Sequence, residues 1–85
     1  MPGMRTRTAD HEDGTLRLVE YTRRMRPHWC VKGHLGCVIA GRMRIRYASR
    51  SLVLRPGDPF LIPSGRRHRH MGIPLSLRVS VLMVE

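Results

Sequence analysis

The residues of this chain that can carry chemistry are histidines and cysteines in two short groups. His28 and Cys30 lie two residues apart, so on a strand both side chains point to the same face, and His34 follows four residues after Cys30. His68 and His70 form the second group and are again two residues apart. Zinc, iron, nickel and copper accept imidazole ligands, and thiolate favours the softer of these metals. If strands bring the two groups together, this spacing predicts a transition-metal site.

The second group also has a simpler interpretation. Arg66 and Arg67 directly precede His68, so the second group can belong to a solvated cationic surface, or its arginines can attract an anionic substrate such as a carboxylate. Neither group contains a carboxylate, which argues against magnesium or calcium because those ions prefer oxygen ligands. Cys37 is out of phase with His34, and we expect it to be a small core residue.

Short strands must position these residues. Arginine alternates with Met, Ile or Tyr over residues 42–47, and this period of two predicts a strand with one buried face. Further strands are predicted at Ser51–Leu54 and Pro59–Ile62, and the last over residues 75–83. Gly and Pro turns divide the chain at short intervals, and no window shows the apolar spacing of a helix longer than one turn. We predict an all-β domain, either a sandwich or a barrel.

Length and charge limit the classes of function. A chain of 85 residues forms one small domain, and a domain of this size commonly depends on a metal, disulfides or a partner subunit for its stability. Residues 1–14 are predicted to be a tail or a peripheral strand, and residues 15–85 the folded domain. The net charge of +10 suggests phosphate binding, but few aromatic residues and no binding motif make nucleic acid an unfavoured partner.

The N-terminal segment is charged and lacks the apolar stretch of a secretory signal. No apolar run approaches the roughly 20 residues that a membrane-spanning helix needs. We therefore expect a cytoplasmic protein without a membrane partner. Cysteines stay reduced in that compartment, so metal binding or catalysis is favoured over a disulfide between Cys30 and Cys37.

Two longer motifs resemble those of a known superfamily. Residues 57–68 read G-D-P-F-L-I-P-S-G-R-R-H, which resembles the second motif of the cupins, G-x5-P-x-G-x2-H. The first cupin motif, G-x5-H-x-H-x3,4-E-x6-G, is matched in part: Gly41 fits its closing glycine, and His34 then stands where the motif has Glu. The chain is similar to minimal single-domain cupins that carry W-C-x-K-G-H, here residues 29–34. The resemblance covers about residues 20–85.

This resemblance implies a small jelly-roll β-barrel in which the two motifs share one divalent metal. Carried over residue by residue, it implies four metal ligands: His28, Cys30, His34 and His68. The implied cofactor is a divalent transition metal: zinc, iron, nickel or copper. His70 lies two residues beyond the last implied ligand, which makes it a candidate proton shuttle in catalysis or a hydrogen-bond support for the ligands.

The expected function is to bind or transform a small molecule inside the barrel at this metal. If the protein is an enzyme, its residues leave oxygenase, isomerase and lyase chemistry open. The alternative is a non-catalytic sensor that binds a small molecule without metal. We expect the cavity walls to include Val38 and either Phe60 or Ile62, with Trp29 either near the mouth or, as we favour, an ordinary core or interface aromatic residue. Because the end of the last strand is apolar on both faces, we also expect a homodimer.

Overall fold

A computed structural model that describes residues 1–85 shows a chain built almost wholly of strands. The strands are β1 Met4–His11, β2 Gly14–Thr22, β3 His34–Ala40, β4 Met43–Tyr47, β5 Ser51–Leu54, β6 Pro59–Ile62, β7 His70–Pro74 and β8 Arg78–Val84, with a 3-10 helix at Arg66–His68. The all-β prediction is confirmed, and β5 and β6 have the bounds that the sequence predicted. The last strand is shorter than predicted because residues 75–77 form the turn that follows β7.

The strands form two antiparallel sheets. The larger has the order β1-β2-β8-β3-β6 and the smaller β5-β4-β7, an arrangement consistent with the predicted small jelly roll. Residues 4–11 pair with residues 14–21 of β2, so the first segment of the chain is an edge strand of the larger sheet. The chain contains no helix with the length and apolar character needed to cross a membrane.

The core lies between the inner faces of the two sheets. Nine buried side chains form it: Val19, Val38, Met43, Ile45, Leu54, Ile62, Val79, Val81 and Met83. The period of two in β4 buries Met43 and Ile45 and leaves the arginines exposed, as the sequence predicted. Val38, predicted as a cavity wall, is fully buried in this core. The core assignment of Cys37 was wrong: its neighbour Val38 faces inward, so Cys37 lies half-buried on the outer face of β3.

Gly36 allows β3 and β8 to approach closely. A Cβ at this position would overlap the carbonyl oxygen of Leu82, which the β3–β8 pairing holds in place. We expect Gly36→Ala to lower the free energy of unfolding by about 3 kcal/mol, because the two strands must separate to admit the methyl group. Urea unfolding followed by circular dichroism measures this loss.

Gly72→Ala is the matched control for this substitution. Its Cβ would meet only the flexible end of Met43, at 3.6 Å, which is an ordinary contact. We expect a much smaller loss of stability than for Gly36→Ala. Equal losses in the two variants would show that the close approach at Gly36 does not limit the packing of the larger sheet.

Candidate functional site

Backbone pairing brings Cys30 and His70 together. The Cys30 amide nitrogen donates to the His70 carbonyl oxygen at 2.8 Å, and the His70 amide donates to the Cys30 carbonyl at 3.0 Å. The two residues form an isolated antiparallel bridge. Residues directly opposite in such a bridge carry their side chains on the same face, so the thiol and the imidazole lie side by side.

His34, the first residue of β3, completes a group of three. Its ring centroid lies 5.3 Å from that of His70, and the two ring planes meet at 82°. One ligand atom from each of Cys30, His34 and His70 lies within 4.8 Å of the other two. Cys30 forms no disulfide. We refer to these three residues as the Cys-His-His group.

Hydrogen bonding orients the imidazole of His70, and burial affects that of His34. His70 Nδ1 lies 3.1 Å from the carbonyl oxygen of His68. A carbonyl only accepts, so Nδ1 carries the hydrogen and Nε2 of the neutral ring keeps its lone pair. Burial lowers the pKa of His34, and the neighbouring His70 lowers it further. The lowered pKa of His34 favours its neutral form, which is the form that binds metals. Nδ1 of His34 is buried without a hydrogen-bond partner.

The Cys-His-His group lies at one wall of a cavity of about 250 Å³. The rest of the cavity is largely apolar, and its apolar side chains are Met4, Met25, Met43, Ile45, Phe60, Ile62, Val81 and Met83. Four further side chains that can form polar interactions line it: Arg17, Tyr21, His28 and Lys32. No carboxylate does. An apolar space with a few polar groups gathered in it is the usual form of a small-molecule site.

The structure brings some of the predicted site residues together and separates others. Cys30 and His34 meet, and the third member of their group is His70. His28 is exposed and lines the same cavity outside that group. His68 is half-buried and does not line the cavity. It ends the 3-10 helix, so the alternation that would put it on the same face as His70 in a continuous strand does not apply.

Among the predicted walls, Phe60 and Ile62 line the cavity, whereas Trp29 does not. Trp29 is 44% exposed. The guanidinium carbons of Arg46 and Arg69 lie 5.9 and 6.0 Å from the centroid of its ring, within the range of a cation–π interaction. Trp29 is therefore a surface aromatic residue that two arginines partly cover.

Sequence analysis missed the charged part of the cavity. Arg17 Nη1 donates to Glu85 Oε1 at 2.7 Å, and Lys32 Nζ lies 3.3 Å from the same oxygen. The hydrogen bond from Arg17 is the main cause that lowers the pKa of Glu85. Burial raises the pKa of Tyr21. Arg17 alternates in phase with Val19 and Tyr21 along β2, but Leu16 and Leu18 make the opposite face equally apolar, so no local signal places Arg17 inside.

Comparison with known proteins places the chain in a family. Residues 16–70 match the AraC-like ligand-binding domain family, and the match spans more than half of the chain. The chain belongs to this family. Comparison with curated proteins finds no match. The AraC-like ligand-binding domain is cupin-type, so the predicted membership of the cupin superfamily is confirmed.

Solved structures agree on the fold. A cupin-2 domain-containing protein from Shewanella frigidimarina NCIMB 400 has a TM-score of 0.77 and 19% identity, over 95% of this chain and 78% of that chain. KdgF from Halomonas sp. has a TM-score of 0.78 and 22% identity, over 99% of this chain and 80% of that chain. An HTH_3 family transcriptional regulator from Vibrio cholerae has a TM-score of 0.76 and 11% identity, over 96% of this chain and 49% of that chain. At these identities the likeness concerns the fold alone.

Proposed function

We propose that this chain is a small metal-binding cupin that binds or transforms a small molecule in the cavity beside Cys30, His34 and His70. The observation that carries the proposal is the convergence of one thiol and two imidazoles at the wall of an otherwise largely apolar cavity. Membership of a ligand-binding family supports the small-molecule part of the proposal. In the proposed ligand set His70 takes the place of His68, which the motif implied, because His70 and not His68 lies with Cys30 and His34.

The residues present fit a divalent transition metal. Two metal–ligand bonds of about 2.0–2.3 Å each would together span most of a separation of up to 4.8 Å between ligand atoms. Nδ1 of His34 is buried without a hydrogen-bond partner, whereas buried polar atoms normally have one. Imidazole and thiolate together suit zinc, iron, nickel or copper. His28 lines the same cavity and is our candidate for a fourth ligand.

When bound, such a metal supplies Lewis acidity toward an oxygen of the ligand. The chain's own residues do the rest. The His68 carbonyl holds the hydrogen on His70 Nδ1 and so keeps the opposite nitrogen directed to the site. The methionine and phenylalanine walls exclude water and contact the apolar part of the ligand. Whether a reaction follows binding depends on the ligand, and oxygenase, isomerase and lyase chemistry stay open.

A metal-free sensor is the second candidate function. It is favoured by the family itself, which is described as a ligand-binding domain. The similarity to an HTH_3 family transcriptional regulator adds support, since this chain corresponds to about half of that protein. A sensor of this kind needs only the cavity, and its output would pass through a partner protein. The predictions of a cytoplasmic location and of no nucleic-acid partner stay predictions.

We also infer that the protein is a homodimer, from the outer face of the larger sheet. Strand register places two apolar rows side by side across its five strands: Ala9, Leu16, Val84, Leu35 and Leu61, then Arg7, Leu18, Leu82, Cys37 and Pro59. We name these two rows the outer apolar face. Leu35 is 51% exposed and Leu61 is 71% exposed. Contiguous apolar surface on this scale is typical of an interaction site.

A second copy of the chain suits this face in both charge and area. Arg7 is the one charged residue in the two rows, although the net charge of the chain is +10. Copies therefore meet here with little repulsion. From the spacing and rise of the strands, the whole outer side of the five-stranded sheet, of which the two rows form the apolar part, offers roughly 600 Å² per copy. A pair that uses all of it removes about 1,200 Å² from water, the lower end for specific interfaces.

Elemental analysis of protein purified without chelator tests the metal-binding function. We expect close to one zinc, iron, nickel or copper ion per cavity, and loss of that ion to a strong chelator should lower the melting temperature. Protein that contains no such metal after purification, and takes up none on reconstitution, would contradict metal binding and favour the sensor.

A further inference from the structure

Two cations line the cavity and no carboxylate does. Arg17 projects inward from β2, and Lys32 lies in the loop between Cys30 and His34. The Arg17 side chain is only 22% exposed. A guanidinium held near an apolar space favours anionic partners, because removing its charge from water is costly. This preference is the starting point for naming the ligand.

Glu85 shows what kind of group this position accepts. A single oxygen, Oε1, receives the Arg17 hydrogen bond at 2.7 Å and lies 3.3 Å from Lys32 Nζ. A carboxylate thus already lies between the two cations. The guanidinium has five N–H donors and the ammonium three, so most of these donors stay free for a second anion. The three charges sum to one positive charge, which attracts a further anion into the cavity.

We propose that the cavity binds a small monocarboxylate, with its carboxylate held by Arg17 and Lys32 and its apolar remainder against Met25, Met83 and Phe60. This rests on the proposed function only in taking the cavity as the ligand site, and it does not depend on a metal. A cavity of about 250 Å³ is at or below the small end of ligand pockets. The ligand is therefore a short-chain or single-ring acid.

The position of other arginines strengthens this assignment. Arg66 and Arg67, which the sequence suggested for attracting an anion, are exposed in the 3-10 helix and do not line the cavity. Arg44 is exposed on β4 and also lies outside the cavity, whereas Arg17 is an arginine that lines it. Any selectivity for acids should therefore depend on Arg17 and Lys32 rather than on the net positive charge of the chain.

Isothermal titration of chelator-treated protein with butyrate, hexanoate and benzoate, each paired with its primary amide, tests the proposal. We expect at least one acid to bind tenfold or more tightly than its amide, because charge-assisted hydrogen bonds to Arg17 favour the anion. Arg17→Met should weaken binding of that acid about tenfold or more. Lys32→Met should also weaken it, and because Lys32 is exposed, this variant keeps the test valid if Arg17→Met folds poorly. Glu85→Gln should tighten binding several-fold by removing the internal competitor.

Arg44→Met is the matched control, since it removes one positive charge outside the cavity. The proposal is overturned if the amides bind as well as the acids, if Arg17→Met and Lys32→Met behave like Arg44→Met, or if no acid binds. Zinc titration of the same preparation separates the two proposals. Zinc binding without acid selectivity removes this inference and leaves the metal site, whereas acid selectivity without zinc binding leaves this inference and removes the metal site.

Discussion

Cys30→Ser is expected to lower the zinc affinity of this protein by about 100-fold or more. Loss of a residue that only supports a metal ligand already costs about 10- to 100-fold, and loss of a ligand costs at least as much. Cys37→Ser should leave the affinity unchanged. Both cysteines are free and half-buried, but only Cys30 belongs to the Cys-His-His group. The pair therefore compares the same chemical change inside and outside the site.

Competition with a chromophoric chelator measures these affinities. Cobalt gives an independent readout, since a thiolate ligand adds a charge-transfer absorption that should disappear in Cys30→Ser and persist in Cys37→Ser. Equal affinities in the two variants would show that Cys30 is not a ligand. Circular dichroism of both metal-free variants controls for loss of the fold.

Substitutions of His68 and His70, measured in the same experiment, test whether the zinc ligand is the histidine that the motif implies or the one that lies with Cys30 and His34. His70→Ala should lose zinc affinity to a similar extent. His68→Ala should retain it, because the atom of His68 that supports His70 is a backbone carbonyl oxygen, which the substitution keeps. The opposite result would restore the ligand set that the cupin motif implies.

Leu35→Arg is expected to weaken dimerisation by about 100-fold or more, because burying an unpaired charge costs several kcal/mol. The leucine is 51% exposed in the chain alone, so the substitution should cost the isolated fold little. Leu77→Arg is the matched control. Leu77 is 76% exposed in the turn between β7 and β8 and lies outside the outer apolar face.

Sedimentation equilibrium over a range of protein concentrations measures the dissociation constant directly. Wild type and Leu77→Arg should sediment with the mass of two chains, and Leu35→Arg with the mass of one. A wild-type protein that stays monomeric at high concentration would contradict the homodimer. A dimer insensitive to Leu35→Arg would place the interface on another surface.

Much of the fold could be predicted from local patterns. Residues 42–47 alternate strictly, and alternation determines which side chains of β4 share a face wherever that strand lies. The ends of β5 and β6 could be predicted from the turns around Pro56 and Pro63, because proline and glycine restrict the backbone locally. The β2 segment was harder, because apolar side chains occur on both of its faces and period alone does not say which face turns inward.

Part of the candidate site could also be predicted. Cys30 and His34 were assigned from spacing and from motif resemblance, and the structure places both in one group. That His70 rather than His68 lies with Cys30 and His34 escaped prediction. A 3-10 helix ends at His68, and β7 begins at His70. A motif match depends only on the number of residues between fixed positions, so it does not detect this change in backbone conformation.

The residue types, the strand pattern and the resemblance to two cupin motifs were properties of the linear chain, and they predicted an all-β cupin with histidine and cysteine as candidate metal ligands. Tertiary structure alone decided which donors meet and what lies beside them. Cys30 pairs with His70, and Arg17 with Glu85 across 68 positions of sequence. Alternation and turn signals act over a few residues, whereas such pairs form only when the two sheets pack and bury one face of each strand.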